Sequence, residues 1–407
     1  MRKLLQRVLE RIEEKTRDYF FTMRHRTKKS AFTRHRSLSL QKVMYVKLDT
    51  VKQSNNAAIY NTLRGVFDET PVSRQAFEQA RKNLSYTAFE ELFSDTAQEA
   101  LELQDLKLFK GVYRLLGIDG SLVALPKSEE LAVAFGKSTP VEGETFCRIS
   151  FCADLLNEFV LGGEISGFDT GERELAQKHL DKVPCPNGLF LFDRGYWSPE
   201  LIPGICRSGR KFLIRIPSNG IHAVTQSKEP SGTFKYRGYP LRYYVFQLKS
   251  GEMEYLVTNL CADEVPDEAL PDLYALRWGV ETRYREFKNE LKFIQFSGKS
   301  ELFVRQDFYA YLTVMNLIAA AMYDADEIVQ QQRKDSKYQH KPSKAAAMNI
   351  LKLRYLRATV EKNPQKKSFM FSQLIEDIAR FTVPIRPGRH FPRNMPRDRK
   401  CMKIMGT

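Results

Sequence analysis

Three acidic residues, Asp119, Asp193 and Glu281, have the types and surroundings that metal-dependent chemistry requires. Asp119 follows the apolar run 115–118 and precedes a glycine, and Asp193 follows the apolar run 189–192. We therefore expect both aspartates at the ends of β-strands. A lone aspartate in such a place is usually a turn residue. Two of them with a glutamate, however, supply the hard oxygen ligands that Mg²⁺ and Mn²⁺ prefer.

Glu281 lies in a basic and aromatic stretch that contains no proline. Tyr274, Arg277, Glu281 and Lys288 stand at offsets of 0, 3, 7 and 14. At about 100° per residue they fall within about 60° of one another, so one narrow face of a helix would carry all four. The two cations would keep the Glu281 carboxylate ionised, because nearby positive charge favours the charged form. Such a face suits an anionic polymer with a metal ion bound beside it.

Carboxylates of this kind support phosphoryl transfer. Two divalent cations about 3.5 to 4 Å apart can activate a water or a 3′-hydroxyl on one side of a phosphodiester and stabilise the leaving oxygen on the other. The six histidines are scattered without ligand spacing, which argues against a zinc site.

The charge balance favours a polyanionic partner. The 407 residues contain 64 Lys and Arg against 49 Asp and Glu, a net charge of +15. Eight basic residues and no acid lie between Arg24 and Lys47, and seven basic residues with one acid lie between Thr382 and the end. These clusters indicate nucleic-acid contacts. Two solvated or disordered tails are the alternative.

Other classes of protein are disfavoured. The six cysteines show no paired metal spacing, so we expect reduced cytosolic thiols. The charged N-terminus is unlike a secretory signal. The longest uncharged run, 308–323, has 16 residues and falls short of the roughly 20 that a bilayer needs. We expect a buried core helix there, and no membrane association.

The elements that must position these residues indicate an α/β fold. Residues 1–105 have helical patterns, with Ser73 as a helix cap, that fit a DNA-binding unit or an ordinary helical bundle equally well. Residues 106–217 predict strands at 115–125, 148–155 and 159–165, a helix at 171–180, a strand at 189–192, a helix at 198–207 and a strand at 211–216. This order matches the first part of an RNase H-like core.

The remaining regions complete the expected organisation. Residues 218–260 contain two alternating stretches that predict a β-rich insertion. Residues 261–325 form the helical part of the core with Glu281. Residues 326–407 form a helical C-terminal region that ends in the basic tail.

These motifs resemble the DDE-class transposases of bacterial insertion sequences, in the group with the Tyr-Arg-Glu-Lys (YREK) signature. Tyr274, Arg277, Glu281 and Lys288 match that signature, while Asp119-Gly-Ser and Asp193-Arg-Gly-Tyr resemble the group's two aspartate motifs in the right order. The β-rich insertion and the ends of the chain fit as well, so the similarity covers nearly the whole sequence.

The resemblance implies a site and a reaction. Asp119, Asp193 and Glu281 would be catalytic and would bind two Mg²⁺ ions, with Mn²⁺ able to substitute. Tyr274, Arg277 and Lys288 would hold DNA phosphates, and Arg194 and Tyr196 would be further DNA contacts. A flipped base would stack on an aromatic side chain, for which the candidates are Trp197, Tyr236, Tyr239 and Tyr243.

The implied function is cut-and-paste DNA transposition in the bacterial cytoplasm. The protein would bind the terminal inverted repeats of its element, cut there, and join the free 3′-hydroxyls to double-stranded target DNA, acting as a homodimer in the synaptic complex. Two alternatives remain: a sequence-specific DNA-binding regulator without catalysis, and a structure-specific nuclease on the same fold. The presence of all three carboxylates speaks against the first, and joining of cut ends would exclude the second.

Overall fold

The fold begins with a helical region, as the sequence predicts. A computed structural model describes residues 3–33, 37–49, 54–136, 144–248, 250–277, 296–352 and 354–385. Side chains of Ser39, Ser54 and Ser73 cap three of the helices by accepting a main-chain hydrogen bond in the first turn. The helices that precede the first strand are α1 Leu4–Arg17, α2 Tyr19–His25, α3 Leu40–Leu48, α4 Asn55–Gly65, α5 Arg74–Arg81 and α6 Thr87–Leu101.

A single eight-stranded sheet forms the centre of the protein, in the order β3-β2-β1-β4-β5-β8-β7-β6. β2 is antiparallel to β1 and β3, whereas β4 is parallel to β1 and to β5. The order 3-2-1-4-5 with these directions confirms the RNase H-like α/β core. The strands are β1 Arg114–Leu125, β2 Thr145–Asp154, β3 Val160–Gly167, β4 Gly188–Phe192, β5 Lys211–Ile216, β6 Ser231–Tyr236, β7 Tyr239–Gln247 and β8 Met253–Thr258.

The strands of the predicted β-rich insertion extend this sheet. β8 pairs antiparallel with β5, in a register that joins Ile216 to Tyr255, and β7 and β6 follow outward. The alternating sequence predicts strands here but not their partner, because pairing between strands far apart in sequence leaves no local signal.

Helices cover the sheet, which explains why β4 is apolar throughout. Leu189, Phe190, Leu191 and Phe192 are all fully buried, as expected for a parallel strand covered on both faces. The helix between β1 and β2 has no counterpart among the sequence predictions. The helices within this part of the chain are α7 Glu129–Phe135, α8 Glu172–Lys182, α9 Leu201–Arg207, α10 His222–Thr225 and α11 Leu270–Ala275.

One long helix, α12 Glu301–Gln332, connects the sheet to the helical regions. Its 32 residues span about 48 Å at about 1.5 Å per residue. It packs against α1, α3, α6 and β3, and its middle confirms the buried helix expected at 308–323. The elements that follow are β9 His340–Pro342, α13 Lys344–Leu351, α14 Arg354–Val360, α15 Pro364–Ala379 and β10 Thr382–Pro384.

A buried ionic network joins α12 to the N-terminal helices α3 and α5. The Asp307 carboxylate lies 2.6 Å from Lys47 Nζ of α3 and 2.7 Å from an Arg81 guanidinium nitrogen of α5. It also accepts a 2.8 Å hydrogen bond from the main-chain nitrogen of Ser297. All three charged side chains are at most 2% exposed. Because buried charges are tolerated only when each is paired, removal of the Asp307 carboxylate would take away the buried acidic partner that Lys47 and Arg81 share.

Part of the basic cluster between Arg24 and Lys47 is engaged in ion pairs within the fold. Lys47 counts toward that cluster in the sequence, yet it is buried against Asp307. Arg24 pairs with Glu91, and Lys42 pairs with Glu69. These three cations therefore serve the fold, and the DNA-facing part of the cluster is smaller than the sequence suggests.

We expect Asp307→Asn to lower the free energy of unfolding by about 3–5 kcal/mol, the usual effect of breaking a buried ion pair on one side. The matched control is Asp377→Asn, since Asp377 pairs with Arg354 nearer the surface and exposed pairs contribute about 0–1 kcal/mol. Urea unfolding of both variants measures the difference. Equal losses in the two variants would show that the network is not a main determinant of stability.

Candidate active site

Asp119 and Asp193 lie side by side where the parallel pairing of β1 with β4 ends. Gly117 of β1 is paired with Leu191 of β4 in parallel register, and each aspartate lies two residues further along its strand. The Asp193 side chain is 43% exposed. Asp193 therefore follows the carboxyl end of β4, and Asp119 lies within β1 just past the residues that pair with β4. The carboxyl ends of parallel strands are where open α/β sheets bind their ligands.

Local hydrogen bonds orient each carboxylate. Asp119 Oδ1 accepts from the Gly120 main-chain nitrogen at 2.9 Å. Asp193 caps the short 3₁₀ turn Arg194–Tyr196, and its Oδ1 accepts from the Arg194 nitrogen at 2.7 Å. Asp193-Arg-Gly-Tyr thus forms a turn after β4. Asp119 and Gly120 instead lie within β1, opposite Phe151 and Ser150 of β2, so the expectation that Asp119 ends a strand is wrong.

The first two residues of the YREK stretch meet the second aspartate. The Tyr274 hydroxyl donates to Asp193 Oδ1 at 3.4 Å, and an Arg277 guanidinium nitrogen lies 3.9 Å from the same oxygen. The Arg277 guanidinium also lies 5.5 Å from the centre of the Tyr274 ring, which is a cation–π arrangement. A carboxylate, a hydroxyl and a cation from distant parts of the chain are therefore in direct contact.

The helix that carries Tyr274 ends sooner than the sequence predicts. α11 ends at Ala275, and the Arg277 nitrogen donates to the Tyr274 carbonyl at 3.0 Å to close a tight turn. Glu281 and Lys288 lie outside the described residues. The predicted helix is therefore not continuous from Tyr274 through Arg277, and the placement of Glu281 and Lys288 on a helix face stays a prediction.

Two further carboxylates flank the aspartates. Glu172, the first residue of α8, lies 2.8 Å from Arg148 of β2, and a Cβ atom on Gly120 would lie 3.3 Å from its Cγ. On the other side, Glu254 of β8 lies 2.9 Å from Arg215 of β5. Burial raises the pKa of Glu254, while Arg215 opposes that rise. Sequence reasoning missed both acids, because only the packing of α8 and the pairing of β8 with β5 bring them here.

The two additional residues predicted to contact DNA differ in their surroundings. Arg194 is exposed and lies 3.6 Å from Glu252. Tyr196 is only 2% exposed and packs on the ring of Phe192, with 5.8 Å between ring centres. Arg194 is thus at the surface beside Asp193, whereas Tyr196 lies in the interior beneath it.

The donors present suit hard divalent cations. Carboxylate oxygens are the ligands that Mg²⁺ and Mn²⁺ prefer. Across the described ranges, no three side chains of His, Cys, Asp or Glu lie close enough together to hold a metal ion. Asp119 and Asp193 therefore supply two carboxylates, and a third would come from elsewhere in the chain.

A family model for the transposase DDE domain matches residues 110–317, just over half of the 407 residues. The chain belongs to the transposase DDE domain family. The matched segment contains Asp119, Asp193 and the whole stretch from Tyr274 to Lys288.

Known members of the family resemble this chain at moderate identity. The transposase InsG for insertion sequence element IS4 of Escherichia coli is 26% identical over 278 residues, 62% of this chain and 61% of InsG. A relative from insertion sequence element IS4SA of Synechocystis sp. is 22% identical over 259 residues, 61% of this chain and 72% of that protein. The structure of a piggyBac transposase synaptic complex with hairpin DNA aligns with a TM-score of 0.48 at 13% identity, covering 85% of this chain and 79% of that one.

The aromatic side chains predicted to stack on a flipped base differ in their exposure. Trp197 is half-buried and meets Tyr236 edge to face, with 6.0 Å between ring centres. Tyr243 is 7% exposed, and its hydroxyl is hydrogen-bonded to Ser227 at 2.7 Å. Among the predicted stacking candidates, Trp197, Tyr236 and Tyr239 are therefore partly exposed, whereas Tyr243 packs within the sheet. None of the helices in the described ranges has the length and apolar content to span a bilayer.

A buried histidine supports the main chain of the DDE site at Asp119. Ser150 Oγ of β2 donates to the Asp119 carbonyl at 3.1 Å, so His179 Nε2, which lies 3.0 Å from the same Oγ, must carry the proton and donate to it. Burial lowers the pKa of His179 to about 3, and the charge of Lys182 adds to this effect. The neutral ring is therefore part of the folded state.

We expect His179 to make the protein less stable in mild acid. Its folded-state pKa lies below the value of about 6.5 in an unfolded chain, so between these values the unfolded state binds more protons and stability falls as the pH falls. Between about pH 6.5 and pH 5, protonation of His179 in the unfolded chain should lower the free energy of unfolding by about 2 kcal/mol. Urea unfolding at several pH values should show that part of the pH dependence vanish in His179→Gln and persist in His222→Gln, since His222 is exposed. An unchanged pH dependence in His179→Gln would contradict this account.

Proposed function

We propose that this chain cuts DNA at the ends of an insertion sequence and joins those ends to target DNA by two-metal phosphoryl transfer. The observation that carries the proposal is the meeting of Asp119, Asp193, Tyr274 and Arg277 at one edge of the sheet. Membership of the transposase DDE domain family and the names of the relatives support the same reaction. The match spans 61% of InsG, so the activity of the whole protein is part of the proposal.

Asp119, Asp193 and Glu281 would hold the two Mg²⁺ ions, or Mn²⁺ in their place. When bound, such ions activate the attacking oxygen and stabilise the leaving oxygen. Asp119 and Asp193 carry like charges beside each other where β1 pairs with β4, so a bound dication would relieve a repulsion that the fold creates. Arg277 partly offsets that repulsion, since its guanidinium lies 3.9 Å from Asp193.

Arg277, Tyr274 and Lys288 would hold the phosphates next to the cleaved bond. Arginine suits this task because its planar guanidinium donates two parallel hydrogen bonds to a phosphate. Arg277 is 5% exposed and is oriented by Tyr274, so it is in place before DNA arrives. Preorganised donors of this kind stabilise charge that develops in the transition state.

The basic N-terminal region would bind the terminal inverted repeats. Lys28 and Lys29 are exposed, and so are the rings of Tyr19 and Phe20 at 65% and 69%. Cations beside aromatic rings suit a nucleic acid, and the net charge of +15 favours binding by counterion release. Two chains would act together as a homodimer on the paired ends, in the bacterial cytoplasm.

We expect Asp119→Asn and Asp193→Asn to reduce the rate of end cleavage by more than about 100-fold. Loss of a group that only supports a metal ligand already lowers metal affinity or activity by about 10- to 100-fold, and these substitutions change proposed ligands themselves. Binding to the repeats should persist. The assay combines purified protein, Mg²⁺, DNA with the flanking ends of its own gene, and a supercoiled target. Asp263→Asn is the matched control, since Asp263 is exposed.

The same assay separates the alternatives. Cleavage at the ends with joined product, both lost in the two variants and in Glu281→Ala, supports transposition. Tight binding without cleavage in Mg²⁺ or Mn²⁺ would indicate a regulatory DNA-binding protein, and cleavage without joining would indicate a structure-specific nuclease. Loss of repeat binding in the variants with cleavage preserved would contradict the assignment.

Trp197 is our choice for the side chain that stacks on a flipped base, because it follows Asp193 by four residues and retains an accessible face. Base stacking on an aromatic ring contributes about 1–3 kcal/mol. We expect Trp197→Ala to weaken stacking of 2-aminopurine placed near the cleaved end, observed as a different fluorescence yield in the complex. Tyr338→Ala provides the control, since Tyr338 lies after α12 and is 36% exposed. The same fluorescence in the wild type and in Trp197→Ala would exclude Trp197.

A further inference from the structure

One exposed carboxylate, that of Glu252, lies between two arginines next to the candidate active site. Its Oε1 accepts from an Arg215 guanidinium nitrogen at 3.0 Å and lies 3.6 Å from an Arg194 guanidinium nitrogen. The Glu252 and Arg194 side chains are each 55% exposed. Guanidinium groups bind phosphate oxygens in the same way as carboxylate oxygens, so the pair of arginines could equally hold a phosphate.

The sheet places these arginines next to the second aspartate of the site. Phe192 of β4 is paired with Ile214 of β5 in parallel register. Arg215 follows Ile214 as Asp193 follows Phe192, so these two residues stand at the same level of the sheet. Arg194 comes directly after Asp193 in the chain. A phosphate held by the two arginines would therefore lie next to a carboxylate that is proposed to bind metal.

The turn between β7 and β8 sets the position of Glu252. The Leu248 nitrogen donates to the Glu252 carbonyl at 2.9 Å, and the Gly251 nitrogen donates to the Leu248 carbonyl at 2.8 Å. Gly251 has a φ of +86°, a left-handed conformation that glycine adopts without strain. The main chain at Glu252 is thus held by hydrogen bonds, whereas its exposed side chain can change rotamer on a fast timescale.

Arg215 has a second acidic partner that is buried. Glu254 of β8 lies 2.9 Å from the other terminal nitrogen of the Arg215 guanidinium, and the Glu254 side chain is only 8% exposed. Arg215 would therefore keep one carboxylate partner if Glu252 turned away. Because exposed ion pairs contribute little free energy, Glu252 is the acid that an incoming anion can replace.

We propose that Glu252 occupies the place of a DNA backbone phosphate between Arg194 and Arg215, and that DNA displaces it on binding. This inference rests on the proposed function, because the phosphate belongs to the DNA that enters the active site. The phosphate has an advantage over the carboxylate, since it is part of a polyanion whose binding releases counterions. Glu252 is thus a competitor within the chain that lowers its affinity for DNA. No covalent step is involved.

The opposite view is that Glu252 is an ordinary surface acid that repels DNA only through its charge. Its removal would then strengthen DNA binding by the same factor whether or not Arg194 is present. Under our proposal the two residues are coupled, because removal of Glu252 strengthens binding by exposing the arginines to the phosphate. A double-mutant cycle separates direct coupling of this kind from independent effects.

The test measures fluorescence anisotropy of labelled DNA that carries the flanking ends of the gene. The full-length wild type, Glu252→Gln, Arg194→Gln and the double variant are compared at one salt concentration and without divalent metal, so that binding is measured without cleavage. We expect Glu252→Gln to lower the dissociation constant by about 5-fold, the upper range for an exposed ion pair. In the Arg194→Gln background the gain should fall to about 2-fold or less, beyond the usual error of additivity.

The matched control is Asp263→Asn, which removes an exposed acid that lies beyond β8, and urea unfolding checks that each variant is folded. The same gain from Glu252→Gln with and without Arg194, or a gain no larger than that of Asp263→Asn, would overturn the role of Glu252 and leave the proposed function intact. Absence of end cleavage by the wild type in Mg²⁺ and Mn²⁺, with the coupling present, would overturn the catalytic part of the proposed function alone. A wild type that does not bind the end DNA would overturn both.

Discussion

The parallel pairing of β1 with β4 is the constraint on which the candidate site depends. Its register places Asp119, within β1, beside Asp193, which follows β4, although their negative charges repel. The surroundings offset that repulsion with donors: the Arg194 main-chain nitrogen, the Tyr274 hydroxyl and the Arg277 guanidinium all meet Asp193. Under the proposed function, a dication and the anionic DNA backbone would complete the charge balance of this site.

Polar and charged contacts fix the described residues that flank positions 278–295. Before residues 278–295, Tyr274 and Arg277 are fixed on Asp193. After them, Ser297 is fixed by Asp307, which also binds Lys47 and Arg81 from the N-terminal helices. The buried network of Lys47, Arg81 and Asp307 therefore lies close to the start of α12, after the segment that contains Glu281. This links the stability of the N-terminal region to the geometry of the site.

The sequence predicts those parts of the site that depend on local pattern. The apolar run 189–192 places Asp193 at the end of β4, and the run 211–216 coincides with β5. The expectation that Asp119 ends a strand is wrong, because β1 continues to Leu125 through its pairing with β2. Features that depend on distant pairing are missed. The pairing of β8 with β5 brings in Glu254, the packing of α8 brings in Glu172, and Lys47 belongs to a basic cluster in the sequence but to a buried ion pair in the fold. Likewise, no sequence signal separates the buried Tyr196 from the exposed Arg194.

The central claim is that Asp119, Asp193 and Glu281 share divalent cations, and cleavage of the protein by bound iron tests it most directly. Fe²⁺ substituted for Mg²⁺ generates hydroxyl radicals in the presence of ascorbate and peroxide, and these radicals cut the chain close to the ion. The account predicts cuts near residues 119, 193 and 281, all suppressed by excess Mg²⁺. Cuts near the two aspartates but not near Glu281, or cuts that Mg²⁺ does not suppress, would contradict it.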